Sequence, residues 1–353
     1  MKLDVDIVSG QLRAPFVSAT GSVQARELLL IRLEHRDGHV GFGEAAPLQT
    51  YDGVTVDDVQ VALEDCREVI ARGEDLAREQ LLAECAGLAV LPQAVAAIDL
   101  ALWDLEGRRS GRPVWELLGA SAGAPVTVNR AIAAPDRAGA AADALSASRA
   151  GFRSLKLKVG IGDDGGRLAA VRAVAGPEVA IRLDANGAWT VPQAIASLRA
   201  LEPAVIELCE EPVSGLNQVA ELSGQTGLVL SIDESTSLPG ALERRVCDAV
   251  CLKVGRSGGI TGLLDAARTA QSSGYEVYLA STLDGPLGIA GALHAASVIA
   301  PERPCGLATL GLFADRQDPL PPRDGMIAVP DGPGLGDGLV AWYGGHSHLL
   351  NER

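Results

Sequence analysis

Aromatic residues are scarce in this chain: four Phe, four Tyr and four Trp among 353 positions. With so few large rings available, Trp103, Trp115 and Trp189 read as anchors of a core rather than as a binding surface. The six cysteines contain no CxxC pair. They read as scattered reduced thiols, not as a disulfide framework. Cys247 and Cys251 are four apart, but no second pair or nearby histidine completes a zinc set. His346 and His348 form an HxH near the C-terminus and read as an exposed tail. No basic run exists and the formal net charge is −15, which argues against nucleic acid and anionic membranes as partners. The N-terminal "MKLDVDIVSG" lacks the basic and apolar regions of a signal peptide. No charge-free apolar stretch reaches spanning length. The expectation is a soluble, cytoplasmic protein. A GxGxxG phosphate loop is also missing: the glycines of "VGIGDDGG" (159–166) have the wrong spacing, which argues against a dinucleotide-binding sheet.

What is present is a large apolar fraction, 47%, enough for a barrel plus an accessory domain. "LLLIRLEHRDGHVGFGEAAP" (28–47) alternates and carries a DG turn, predicting a hairpin. "TVDDVQVALEDCREVIARG" (55–73) predicts a helix capped by Thr55, and "LPQAVAAIDLALWDLEGRRSG" (91–111) a second one closed by glycine. From about residue 125, short β-branched runs alternate with Ala-rich helical stretches. The runs at 125–131, 154–160, 179–187, 204–212, 228–235, 249–255, 276–282 and 304–310 predict eight strands of a (β/α)-type barrel. The expected division is an α+β cap over 1–122, a barrel over 123–310 and a Pro/Gly/Asp-rich segment over 311–353 that returns to the cap.

Charged residues recur where these strands end: Lys156 and Lys158, then Asp184, Glu210, Asp233 and Lys253. From Lys158 onward they are spaced 26, 26, 23 and 20 residues apart, each close to one strand-plus-helix unit. A barrel sets such groups around one mouth. Three converging carboxylates repel unless a cation sits among them. Hard oxygen donors suit Mg²⁺, with Mn²⁺ as a substitute, and no His or Cys falls at these strand ends to favour zinc. The two lysines of "SLKLKVG" (154–160) point the same way, because strand side chains alternate. Beside a cation their pKa falls, so that one can serve as a base.

The ordered series resembles the enolase superfamily, and within it the muconate-lactonizing subgroup. The motifs are "SLKLKVG", "RLDANGAW" (182–189), "ELCEEPV" (207–213), "SIDES" (231–235) and "LKVGRSGG" (252–259). "APFVSATGS" (14–22), "GFGEAAPLQTYDG" (41–53) and "AIDLALWDLEGRRSGRPVWELLGA" (97–120) resemble the subgroup's capping domain. The resemblance implies a modified TIM barrel, (β/α)7β, with an N-terminal α+β cap completed by the C-terminal tail. It implies Asp184, Glu210 and Asp233 as Mg²⁺ ligands. Glu207 and Glu211 compete for the middle role, and the family's position two before the proline selects Glu210. It further implies Lys158 as general base, Lys156 as its electrostatic neighbour and Lys253 on the opposite face of the substrate. Asn186 would support the metal and Arg182 the lysine pair.

The subgroup abstracts protons next to a carboxylate, so a small carboxylate is the expected substrate. Homo-oligomers are common in it. Dipeptide epimerases carry an Asp-x-Asp on the last strand, where this chain has Gly306 and Ala308. "CGLATL" (305–310) resembles the ending of o-succinylbenzoate synthases, as does "ASTLDGPLGIAGALHAA" (280–296), with Asp284 where a glutamate is more usual. The leading expectation is dehydration of 2-succinyl-6-hydroxy-2,4-cyclohexadiene-1-carboxylate in menaquinone biosynthesis. The alternative is an N-succinyl- or N-acylamino acid racemase, or another muconate-cycloisomerase-like enzyme of the same subgroup. Phe16, Tyr51, Ser281, Thr282 and Asp284 are the expected substrate-pocket residues.

Overall fold

The computed structural model describes residues 1–89, 91–201, 204–345 and 347–350; His346 lies outside the described residues. Three antiparallel strands open the chain: β1 (Lys2–Ser18), β2 (Gly21–Glu34) and β3 (Val40–Ala45). β1 and β2 form one long hairpin whose register breaks between Gln11 and Phe16. Strand alternation divides β2 between two cores. Leu29, Ile31 and Leu33 face the cap helices, whereas Leu28 and Leu30 join the main core shared with the barrel.

The cap helices are α1 (Gln49–Asp52), α2 (Val56–Asp65), α3 (Arg67–Arg72), α4 (Arg78–Leu88), α5 (Pro92–Ser110) and α6 (Val114–Leu117). Thr55 caps α2 through a reciprocal box with Asp58. The single helix expected over 55–73 divides at Cys66, and α3 brings Val69 and Ile70 into the cap core. Against α5, β3 packs so closely that a Cβ on Gly41 or Gly43 would lie 2.1 or 2.0 Å from the Ala101 or Ala97 carbonyl oxygen.

The second part runs β4 (Val126–Thr127), β5 (Arg130–Ile132), α7 (Arg137–Arg149), β6 (Ser154–Lys158), α8 (Asp164–Ala175), β7 (Ala180–Asp184), α9 (Val191–Leu201), β8 (Leu208–Glu210), α10 (Leu216–Ser223), β9 (Leu230–Ile232), β10 (Ala249–Leu252), α11 (Gly259–Ser272), β11 (Glu276–Leu279) and α12 (Pro286–Ile299). Seven parallel strands form one sheet in the order β11-β10-β9-β8-β7-β6-β5. The expected eighth strand at 304–310 is reduced to two bridges, Val128↔Cys305 and Ala280↔Gly306, which join the sheet's two edges. Pro304 and Gly306 interrupt any longer ladder there, since proline lacks a donor and glycine a packing side chain. Between β9 and β10 the expected helix gives way to a short 3₁₀ turn, Glu234–Ser237, in a stretch that contains Pro239 and Gly240.

The C-terminal segment returns as expected. β12 (Met326–Ile327) pairs antiparallel with β4, Leu12 bridges Phe313, and the Tyr343 hydroxyl donates to Glu44 of β3. No described helix is long and apolar enough to cross a membrane.

Candidate active site

Parallel register brings the strand-end charges together. Lys158 lies opposite Asp184 and Asp184 opposite Glu210 across β6, β7 and β8. Asp233 follows β9 and Lys253 follows β10. All are nearly or fully buried. Lys156 Nζ donates to Glu210 Oε1 at 2.6 Å and lies 3.0 Å from Asp184 Oδ2. Lys158 Nζ donates to the same Asp184 oxygen at 2.6 Å and to Asn186 Oδ1 at 3.0 Å. Asn186 sits at φ 45°, a left-handed turn that asparagine tolerates. From there it aims its carbonyl at Lys158 and its amide at Glu234 Oε1, 2.8 Å away. Lys253 Nζ donates to both Asp233 oxygens and to the Tyr51 hydroxyl.

Burial draws the Lys156 ammonium down, but Asp184 and Glu210 overcome it and hold its pKa well above the ordinary value. Lys253 is raised for the same reason, with Asp233 prevailing over burial. The carboxylates thus hold both amines in their charged form. Burial pushes Asp184 up, and Lys156 and Lys158 bring it below the carboxylate range. Glu210 stays raised, by burial and by the repulsion of Asp184 and Asp233 that Lys156 does not offset. Burial and Asp233 likewise push Glu234 up to about 8, and burial pushes Glu211 up to about 7.

The carboxylates fit a hard divalent ion. They are buried, they repel one another, and they supply oxygen donors from three successive strands. Glu210 and Asp233 oxygens lie within 4.8 Å of each other and of Cys251 Sγ. Glu211 instead accepts from the Asp233 amide and from Ser235, and Glu207 lies with Arg182 and Arg303; neither joins this group.

One cavity is lined by Lys156, Lys158, Asn186, Asp233 and Lys253, and by residues of the cap. Phe16, from the β1–β2 hairpin, lies with its ring centre 5.7 Å from Lys158 Nζ. Tyr51 donates to Asp233 Oδ1 at 2.6 Å and accepts from Arg256 at 2.8 Å. Ser281 and Thr282 line the cavity, Ser281 bonded to Thr309.

Two expected residues lie elsewhere. Arg182 lies opposite Lys156 in the β6–β7 register, but its guanidinium bonds elsewhere. It donates to Glu207 and to the Pro304 carbonyl on the barrel floor, and its guanidinium lies 5.3 Å from the Tyr278 ring centre. A guanidinium beside two ammonium groups would be repelled, and Glu207 offers it two acceptors. Asp284 does not line the cavity; it accepts from Thr282 beneath it and interacts with Arg26 and Glu44.

Sequence reasoning missed Tyr278, whose hydroxyl donates to Glu210 Oε2 at 2.6 Å, and it missed Glu234 and Arg256. It also set Cys251 aside with the scattered thiols. The available signal was alternation: Cys251 stands two before Lys253 and must share its face.

Comparison with known proteins agrees with this geometry. Residues 2–119 match the mandelate racemase / muconate lactonizing enzyme N-terminal domain, and residues 138–339 match the enolase C-terminal domain-like family. The chain is 28% identical to a D-Ala-D/L-Ala epimerase of Cytophaga hutchinsonii over 94% of each chain. It is 31% identical to a chloromuconate cycloisomerase of Pseudomonas putida over 95% of each. An N-succinyl-L-Arg/Lys racemase of Bacillus cereus is 27% identical, with 81% of this chain and 80% of that protein covered. The solved Cytophaga dipeptide epimerase, complexed with Mg and D-Ala-L-Val, superimposes with a TM-score of 0.88 at 26% identity, covering 96% of this chain and 97% of that one. None of these relatives is named for o-succinylbenzoate synthesis. The chain belongs to the enolase superfamily, as a muconate-lactonizing-type enzyme with a capped barrel.

Proposed function

We propose that this chain is a Mg²⁺-assisted acid–base enzyme that racemises or epimerises N-acylated amino acids at the carbon next to the carboxylate, with Mn²⁺ able to substitute. One observation carries the reading. Lys158 on β6 and Lys253 after β10 line the same cavity from positions separated by β7, β8 and β9. Two amines across one substrate carbon are what proton transfer between its two faces requires. Bound by Asp184, Glu210 and Asp233, the divalent ion would hold the substrate carboxylate and offset the charge of the enolate. Lys158 takes the α-proton from one enantiomer while Lys253, protonated, returns one to the other face; the opposite enantiomer reverses the roles. Asn186 orients the Lys158 amine.

The lining has no carboxylate to spare for a substrate ammonium, which supports an acylated nitrogen. Asp233 is the cavity's one carboxylate among its described lining residues, and it already serves Lys253 and Tyr51. Gly306 and Ala308 line the last stave, where a substrate ammonium would find no counter-charge. An acyl group needs none, and the Ser18, Thr20, Thr50, Ser281 and Thr309 hydroxyls offer it hydrogen bonds.

The same uncharged stave favours a second reading, dehydration of 2-succinyl-6-hydroxy-2,4-cyclohexadiene-1-carboxylate to o-succinylbenzoate. There Lys158 alone is base and then acid, and Lys253 stays positive. Incubation of N-succinyl amino acids in D₂O with Mg²⁺, followed by NMR, separates the two. Deuterium entering at the α-carbon of both enantiomers supports racemisation. No exchange with either enantiomer, alongside conversion of the cyclohexadiene, overturns it in favour of dehydration.

A further inference from the structure

Cys251 is a group at the barrel mouth that proton transfer leaves unused. Its Sγ lies within 4.8 Å of carboxylate oxygens of both Glu210 and Asp233. The side chain is 1% exposed. Four of the other cysteines, Cys66, Cys209, Cys247 and Cys305, each donate to a backbone carbonyl. Among the described residues Cys251 Sγ has no hydrogen-bond partner, and it faces the two acids. Lys156 and Lys253 are the cations that face the same space, the first on Glu210 and the second on Asp233.

We propose that Cys251 makes this a mixed oxygen–sulfur site, in which Zn²⁺, Cd²⁺ or Co²⁺ recruits the sulfur as a further protein ligand while Mg²⁺ is held by oxygen alone. The proposal rests on the reading that Glu210 and Asp233 hold a divalent ion. Its physical basis is ligand softness: thiolate binds thiophilic ions and adds nothing to a hard ion such as Mg²⁺. The S–H bond breaks, its proton leaves to solvent, and a metal–sulfur bond forms, with no change of oxidation state. Thiophilic ions would then compete with Mg²⁺ for Glu210 and Asp233.

The test titrates the reduced full-length protein with Cd²⁺, with and without Mg²⁺, by calorimetry and ultraviolet absorbance. One Mg²⁺-competable Cd²⁺ with a sulfur-to-metal charge-transfer band is expected. In Cys251→Ser the band disappears and Cd²⁺ affinity falls by about tenfold or more, whereas Mg²⁺ affinity holds. Mg²⁺-competable Cd²⁺ binding without that band, or with the same band in Cys251→Ser, overturns the proposal and leaves the metal reading standing. Binding of neither ion that is lost in Asp233→Asn overturns the metal reading and this proposal with it. Should Cys251→Ser fail to fold, cadmium NMR of the unaltered protein decides: a resonance shifted far downfield supports sulfur ligation, and an all-oxygen shift overturns it.

Discussion

The barrel holds two ionic clusters, one at its floor and one at its mouth, and they are built differently. On the floor Arg182 meets Glu207 through two bonds of 2.9 Å, and Arg303 joins Glu207 at 3.0 Å. Planar guanidinium groups fix that array in a fork geometry and cannot lose their charge. At the mouth the cations are lysines, which touch Asp184, Glu210 and Asp233 as point charges and can give up a proton. The floor is arranged to persist and the mouth to change charge. Sequence alone hides the distinction, because Arg182 and Asp184 stand two apart on one strand and face the same interior.

The comparison predicts opposite outcomes at the two ends. Lys158→Ala should lose about 10²–10⁴-fold in turnover, the usual worth of a positioned acid–base group. Lys156 remains on Asp184, so the melting temperature should hardly move. Arg182→Met should do the reverse: Arg303 still holds Glu207, but the hydrogen bonds of Arg182 to Glu207 and to the Pro304 carbonyl are lost, at about 1–3 kcal/mol of stability, and the folded fraction should keep most of its activity. Thermal melts and initial rates on the two proteins check this. An inactive but fully stable Arg182→Met would erase the division.

A buried group away from both clusters sharpens it further. His294 on α12 accepts from the Trp115 amide at Nδ1, and its Nε2 lies 3.1 Å from the Leu335 carbonyl, the pairing of a neutral ring. Burial lowers its pKa to about 4. The unfolded ring takes a proton near 6.5, so folding is favoured fully above that value. The contribution is lost as pH falls through 6.5 toward 4, at a cost of about 3 kcal/mol across that window. Denaturant titrations from pH 7 to pH 4 should show this loss, and His294→Gln should flatten the slope. A slope unchanged in that variant would move acid sensitivity to the mouth.

Much of this architecture could be read from residues 125–310 because the barrel repeats. Strand ends recur at near-constant spacing, and register then brings Lys158, Asp184 and Glu210 side by side. The last stave was over-read. The stretch at 304–310 falls where an eighth strand would follow, but Pro304 and Gly306 limit it to two bridges. Asp284 was misplaced because its role depends on Arg26 and Glu44, which approach from the cap through contacts no local pattern encodes. Tyr278, Glu234 and Arg256 were missed for a related reason: each acts on a site residue from another element, so only the assembled barrel brings them into range. Cys251 differs, since β-strand alternation alone put it on the face of Lys253.

Tyr51 carries the smallest expected effect and bears most directly on what belongs to the mouth. It comes from the cap, yet its hydroxyl bonds Asp233, Lys253 and Arg256. Tyr51→Phe forfeits all three of these bonds; if the phenol only steadies Lys253, the one to that amine is the loss that reaches the rate, worth about 1 kcal/mol, or roughly fivefold. Asp233 still holds the amine, so stability should change by no more than about the same amount. The loss should fall on the enantiomer whose proton Lys253 removes, and deuterium exchange measured separately for each enantiomer reads that asymmetry. A loss as large as that of Lys158→Ala, equal for both enantiomers, would make the phenol itself a proton carrier. The acid–base pair would then span cap and barrel rather than two strands of one sheet.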